Sequence, residues 1–132
     1  MRAPPVASSS ASRLGFPAGA IHVADCYRYW LEEMAEGRPS ARFAPADYRD
    51  AEAVVRLFRH VDGIVEAFLR GYADRLDCPL GLRVRWMSEA LVVTPLWLLT
   101  HVVTHEFHHK GQMVALGRLQ GYPPPETDLI VP

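Results

Sequence analysis

The sequence predicts an all-α protein of three long helices, most simply arranged as an up-down, antiparallel bundle. Two observations support this fold class. Apolar and aromatic residues recur at helical spacing in three separate stretches of the chain. The last stretch also has clear end signals, because Thr94-Pro95 is typical of a helix start and Gly121, followed by three prolines, is typical of a helix stop.

The predicted elements follow in chain order. Residues 1–19 are rich in Ala, Ser, Pro and Gly and are predicted to be irregular, so that the helical domain spans residues 20–132. Apolar periodicity predicts the first helix over residues 20–36 and the second over residues 45–76. The third helix is predicted over residues 95–120.

The connector between the second and third helices has a different pattern. Residues 83–86 and 91–93 have the β-branched and aromatic content that is typical of strands. This pattern is compatible with either a short hairpin or an irregular connector.

Composition excludes several classes of protein. The chain has 132 residues, which is enough for one domain, and a formal net charge of −1. Without an excess of positive charge, neither nucleic acid nor a membrane surface is expected as a partner. Cys26 and Cys78 lack CxxC spacing and are predicted to be reduced thiols. The N-terminus has no apolar region typical of a signal peptide, which predicts a cytoplasmic protein.

Four of the six histidines lie within nine residues of the predicted third helix. His101, His105 and His109 are four residues apart and therefore share one face of the helix, whereas His108 points some way around from it. A single histidine on a helix is usually a hydrogen-bonded core residue, but several imidazoles buried together would leave nitrogens unpaired. Imidazole is also the commonest metal ligand. This cluster therefore predicts a divalent metal site in which His105 and His109 are ligands.

A third ligand is expected from another helix, and two residues are candidates. His22 lies at the start of the first predicted helix and His60 in the middle of the second. Spacing alone favours neither of them. Asp25 and Glu106 are carboxylates that could orient an imidazole from outside the ligand set.

His105, Glu106 and His109 also match the H-E-x-x-H signature of zinc peptidases. The residues around the match argue against that reading. Position 112 is Gln and position 115 is Ala, where the extended peptidase motif has Gly and His. A downstream glutamate ligand could come only from Glu126, which lies in a proline-flanked tail. A peptidase is therefore the weaker hypothesis.

A longer stretch resembles a known family. Residues 99–113, with the core His-Glu-Phe-His-His-Lys-Gly-Gln at 105–112, and the proline-rich end at 119–125 are similar to the C-terminal helix and tail of the DinB-like (damage-inducible, DinB/YfiT-type) proteins. Residues 22–30, a histidine eight residues before a tryptophan, resemble the second signature of that family. The resemblance covers roughly residues 20–36 and 94–130.

The resemblance implies a four-helix bundle that holds one divalent metal through His22, His105 and His109. Zinc or nickel is expected, and iron, manganese and copper also accept such ligands. It leaves His101 and His108 as neighbours of the ligands. Glu106, Cys26 and Lys110 are the other residues expected to contact the ligands or to line the pocket. Some relatives are metal-dependent thiol transferases. One hypothesis is therefore a metal-dependent enzyme, either a transferase that takes a low-molecular-weight thiol and a small-molecule substrate or a hydrolase. A non-enzymatic metal-binding stress or interaction protein is the other.

One departure from the family concerns the N-terminus, because the family has a full helix before the helix of His22. Three explanations are open: a misplaced gene start, a three-helix remnant, or a partner chain that supplies the helix. Three helices alone would expose an apolar groove, so we expect a homodimer. Trp30, Trp86 and Trp97 are expected either in the core or as walls of an apolar substrate pocket, and the sequence does not separate these roles.

Overall fold

The computed structural model describes residues 10–127, with side chains from residue 17 onward. Helix α1 spans Ser10–Tyr27 and continues directly as a π-helical segment, Arg28–Ala35. The prediction of irregular structure is therefore wrong for residues 10–19, while residues 1–9 lie outside the described part of the chain. The helix continues through Pro17, which removes one backbone hydrogen bond, and near this end Gly19 lies against Met113 of the last helix.

The π-helical segment is anchored by a buried arginine. Arg28, 3% exposed, donates hydrogen bonds from Nε to Asp25 Oδ1 at 3.0 Å and from Nη1 to Glu33 Oε2 at 2.7 Å. The same Nη1 donates to the carbonyl of Ser40 at 2.9 Å, and Asp25 accepts from the backbone N–H of Phe43 at 3.2 Å. This network ties the following loop back along α1.

Helix α2 spans Ala51–Tyr72, which is shorter than the predicted 45–76. Pro45–Asp47 forms a separate 3₁₀ turn instead. Asp50 has an extended backbone and its side chain accepts a hydrogen bond from the N–H of Ala53 at 2.7 Å, so it caps α2 and sets its start.

Helices α1 and α2 run in the same direction. The ring of His60 in α2 lies 5.9 Å from the ring of Phe43, and the backbone N–H of Phe43 donates a hydrogen bond to Asp25 of α1. Further along both helices, Tyr72 Oη donates to the carbonyl of Ala35 at 2.6 Å. Later residues of α2 thus lie beside later residues of the first helix. The predicted up-down order is therefore wrong for this pair, because the long connection between them allows the chain to return along α1.

The connector between α2 and α3 contains a short hairpin. Strands β1, Leu80–Leu82, and β2, Leu91–Val93, pair antiparallel with Leu80 opposite Val93. The second strand agrees with the prediction. The first lies three residues earlier than predicted, and Val84, just beyond the strand, is buried in the core.

Helix α3 spans Pro95–Leu119, as the sequence predicted. Thr94 caps its start by accepting a hydrogen bond from the N–H of Trp97 at 3.1 Å. Gly121 adopts a φ of 84° just beyond its end, a conformation that favours glycine. Across the fold, Gly19 of α1 faces Met113 near the end of α3, so these two helices are antiparallel.

The first helix is central and packs against both α2 and α3. Its buried residues meet those of the other helices in one core, which includes Leu31, Leu57, Phe68, Leu98 and Val102. The structure is thus mainly helical with one small sheet. Among residues 10–127, no helix is both long and apolar enough to cross a bilayer. Cys26 and Cys78 are free thiols.

A groove of about 430 Å³ lies between α2 and α3, where Tyr27 of α1 lines it. Tyr27 Oη donates a short hydrogen bond to Glu106, which lines the groove from α3. The remaining lining is largely apolar and includes Phe58, Val61, Val65, Leu99 and Val103.

The Arg28 network predicts a large stability cost for Arg28→Met. The substitution leaves the buried carboxylate of Asp25 without its closest cation, and breaking a buried pair costs about 3–5 kcal/mol. The matched control is Arg56→Met, because Arg56 pairs with Glu52 on the surface and such pairs contribute less than about 1 kcal/mol. Urea unfolding of both variants measures the difference. Equal losses would show that the network does not stabilise the fold.

Candidate metal centre

Three imidazoles from two helices converge on one point. His22 comes from α1, and His105 and His109 come from consecutive turns of α3. The Nε2 atom of His105 lies 3.2 Å from the Nε2 atoms of both His22 and His109. One ligand atom from each residue can be chosen so that all three lie within 4.8 Å of one another.

These separations fit a metal ion. Imidazole nitrogens bind zinc at roughly 2.0–2.1 Å, so two ligands of a tetrahedral ion are about 3.3 Å apart. The observed 3.2 Å matches that spacing. Without a cation, the lone pairs of nitrogens this close together would repel one another wherever no ring proton lies between them. The donor set therefore suits a divalent ion held by three neutral imidazoles.

The position of the cluster leaves one side open. His22 is exposed, whereas His105 and His109 are half-buried. Three protein ligands with solvent on the fourth side are typical of a metal that reacts, since structural zinc sites have four protein ligands.

Electrostatics keeps His105 in its ligand form. Burial is the largest cause that lowers the pKa of His105, and the neighbouring imidazoles of His109 and His22 lower it further, to about 4. The ring is therefore neutral at pH 7, as a metal ligand must be.

His109 is oriented by a residue whose role the sequence analysis did not identify. Gln112 Oε1 lies 2.8 Å from His109 Nδ1, and Gln112 Nε2 lies 3.2 Å from His108 Nε2. With the amide oxygen as acceptor, His109 has its proton on Nδ1 and a free lone pair on Nε2, the atom that faces His105. The i, i+3 spacing of His109 and Gln112 on one helix is the signal that could have indicated this pair.

His105 is held differently. Its Nδ1 atom is buried and has no hydrogen-bond partner within the described part of the chain. Ring packing orients it instead, since the ring of His109 lies 4.5 Å away and that of His101 6.3 Å away.

The other candidates from the sequence lie apart from the three converging nitrogens. His60 packs against Phe43 on α2, so the structure brings His22, and not His60, to the site. His101 stacks on Trp97 at 5.3 Å, and His108 is bonded to Gln112.

Three further candidates have other partners. Glu106 accepts from Tyr27 and faces the groove between α2 and α3, which none of the three converging histidines lines. Lys110 donates to the carbonyl of Thr127 and lies 4.9 Å above the ring of Phe107. Burial raises the pKa of the Cys26 thiol to about 11, so that it stays protonated and unreactive at pH 7.

Asp25 also has a different role from the one expected. Its carboxylate accepts from Arg28, Phe43 and, at 3.5 Å, Arg42. It therefore supports the loop rather than an imidazole.

The lowered pKa of His105 predicts that the metal-free protein loses stability in mild acid. The unfolded chain takes up a proton near pH 6.5, whereas the folded protein does so only near pH 4. The free energy of unfolding should therefore fall as the pH is lowered from about 6.5 to about 4. Urea unfolding with EDTA across this range measures the slope, and His105→Gln should flatten it. The same slope in both proteins would contradict the assignment.

Gln112 predicts a graded effect on metal affinity. Loss of a group that orients a ligand typically weakens metal binding about 10- to 100-fold, so Gln112→Ala should raise the Kd for zinc by that amount. Gln112→Glu keeps an acceptor oxygen and should retain most of the affinity. Competition with a chromophoric chelator measures both values. If alanine and glutamate variants bind zinc as wild type does, Gln112 does not position His109.

Comparison with known proteins places the chain in a family. A search of curated protein sequences finds no significant match. The sequence model of the DinB family, in contrast, matches residues 18–131, which cover the helix of His22, both later helices and the tail. This match spans most of the chain and includes all three histidines of the candidate metal centre. The chain belongs to the DinB family.

Proposed function

We propose that this protein binds one divalent metal ion through His22, His105 and His109 and uses it to transfer a low-molecular-weight thiol to a small electrophilic substrate. The observation that carries the proposal is that His105 Nε2 lies 3.2 Å from Nε2 of both His22 and His109, with one ligand atom of each residue within 4.8 Å of the others and with His22 exposed. Membership of the DinB family supports the metal-binding part.

The charge of the donor set favours this chemistry. Three neutral imidazoles leave the full positive charge of a divalent ion in place, and zinc or nickel is expected with such ligands. When bound, the ion would act as a Lewis acid and lower the pKa of the thiol, so that more of the thiol is present as thiolate at pH 7. In the transfer, the thiol gives its proton to solvent, its sulfur forms a bond to the electrophilic carbon, and the leaving group departs with the bonding electrons.

The residues of the chain have distinct roles in this proposal. His105 stays neutral because its pKa is lowered, and His109 is held in one tautomer by Gln112. His22 is exposed and leaves room for the thiol and the substrate on its side.

The position of Glu106 argues against peptidase activity. A peptidase of the H-E-x-x-H type needs this carboxylate as general base beside the metal. Here it is bonded to Tyr27 and lines the groove against α2. The third converging histidine, His22, comes from α1, which lies before the motif in the chain. A peptidase of this type takes its third metal ligand from a residue after the motif.

The alternative is a non-enzymatic metal-binding stress or interaction protein. The observation that favours it concerns Lys110, whose ammonium group donates to the carbonyl of Thr127 and lies above the ring of Phe107. With these contacts the lysine is not directed at an anionic group of a substrate. Tight metal binding without thiol transfer would support this alternative.

The expected homodimer stays a prediction. The groove between α2 and α3 is the apolar surface that a second copy would cover. Sedimentation velocity would show a dimer at micromolar concentration if the prediction is right.

Metal analysis tests the proposed site. Untagged wild-type protein should contain about one zinc or nickel ion per chain by elemental mass spectrometry after metal incubation, and His105→Ala should contain none, because it removes the central nitrogen of the three. His60→Ala is the matched control, since it removes an imidazole that lies against Phe43 and away from the site.

Thiol transfer is then assayed with metal-loaded protein and a low-molecular-weight thiol. Activity in wild type and in His60→Ala, with loss in His109→Ala, supports the enzyme. Wild type that stays metal-free after incubation with zinc and nickel would overturn the proposal.

A further inference from the structure

Five aromatic side chains contact one another in a row next to the candidate metal centre: Tyr29, Trp30, Trp86, Trp97 and His101. Tyr29 is buried behind this row, and Trp86 and Trp97 are its exposed members. We propose that this aromatic wall is a subsite that binds a planar aromatic group of the substrate. The inference rests on the proposed function, because it names the class of substrate that the metal site would take.

The α3 part of the wall leads directly to the metal site. Trp97 and His101 are one turn apart, and their rings are parallel to within 2° with centroids 5.3 Å apart. The ring of His101 lies 6.3 Å from that of His105. Trp97 precedes His105 by eight residues, which is about 12 Å along the helix. An aromatic group of the substrate that extends along α3, up to about 12 Å from the atom that reacts, would therefore contact the wall.

Two other elements add rings to the same surface. Trp30, from the π-helical segment, meets the ring of His101 edge-on at 5.3 Å and 81°. Trp86, from the loop between β1 and β2, meets Trp30 at 6.1 Å and stacks on Tyr29 at 5.6 Å. Three separate parts of the fold thus converge on one aromatic surface beside one metal site.

The exposure of two tryptophans distinguishes the outer part of the wall from the core. Trp86 is 67% exposed and Trp97 is 46% exposed, while core residues such as Leu31 and Leu98 are fully buried. Large aromatic rings left in solvent next to a polar site are typical of binding surfaces, since covering them with an apolar ligand is favourable.

The chemistry of the wall selects for neutral, flat groups. None of its five side chains is acidic, lysine or arginine, so the wall has no such side chain to pair with a charged group of a substrate. Indole and imidazole faces stack on other aromatic rings, whereas an aliphatic chain gains only burial. The matching substrate part is therefore an aromatic ring system rather than a charged or aliphatic one.

A pair of metal-directed probes tests the subsite. Imidazole and 4-phenylimidazole coordinate a metal through the same ring, but only the second has a phenyl group that can reach the wall. Their Kd values are measured on the cobalt(II)-loaded protein from its visible absorption. In wild type, 4-phenylimidazole should bind at least ten-fold more tightly than imidazole.

Variants separate the wall from the metal site. Trp97→Ala should reduce the ratio of the two affinities to about two and leave the affinity for imidazole unchanged, and Trp97→Phe should restore part of the ratio. Phe107→Ala is the matched control, because Phe107 is an exposed aromatic on α3 that packs against Lys110 and not against the wall. An equal ratio in wild type and Trp97→Ala would overturn the subsite.

A protein that does not bind metal would refute the proposed function but not the subsite. A second measurement therefore tests the subsite without metal. All three tryptophans of the chain lie in the wall, so their indole N–H signals in NMR spectra report on it without interference. Titration of metal-free protein with 2-naphthol should shift these signals, and Trp97→Ala should weaken the apparent affinity several-fold. The absence of any shift in wild type would overturn the subsite independently of the metal.

Discussion

The antiparallel packing of α1 on α3 is the constraint on which the rest of the molecule depends. It aligns His22 with His105 and His109, and it also aligns Trp30 with His101 two turns further along. Neither helix has all the groups that meet at the site. A change in the relative position of the two helices by one turn, about 5.4 Å, would separate the converging nitrogens and the aromatic rings together.

The same helix α3 places neighbouring residues in different surroundings. His105 and His109 face α1, whereas Glu106 lies between them in sequence but faces the groove toward α2. Successive residues of a helix differ in direction by about 100°, so one helix can serve a metal site and a second surface at the same time. The hydrogen bond from Tyr27 holds the carboxylate of Glu106 in the groove, so a complete H-E-x-x-H match in the sequence does not by itself place a general base beside the histidines.

Stability and site chemistry are supported by different parts of the first helix. Its π-helical segment is anchored by the buried Arg28 network, which also holds the loop that returns to α2. The site side has no such network, since His105 Nδ1 is buried without a hydrogen-bond partner in the described residues. Its imidazoles depend on one another and on Gln112. A bound ion would therefore stabilise the fold at this site, because it would bind the folded chain in preference to the unfolded chain.

Local patterns in the sequence determined α3 and two of the three converging histidines. Thr94, Pro95 and Gly121 specify the ends of that helix through caps and backbone preferences that act within a few residues. The i, i+4 spacing of His105 and His109 likewise needs only a helix to bring them together. The family resemblance also indicated His22 as the third histidine, which spacing alone had not separated from His60.

Only the tertiary structure decided the rest. The parallel course of α1 and α2 depends on contacts between distant parts of the chain, and the helical structure of residues 10–19 overrides their weak local preference. The orientation of Glu106 away from the histidines and the gathering of Trp30, Trp86 and Trp97 beside His101 depend on such contacts too. Periodicity shows which face of a helix is apolar, but the partner of that face is set by the packing of the whole core.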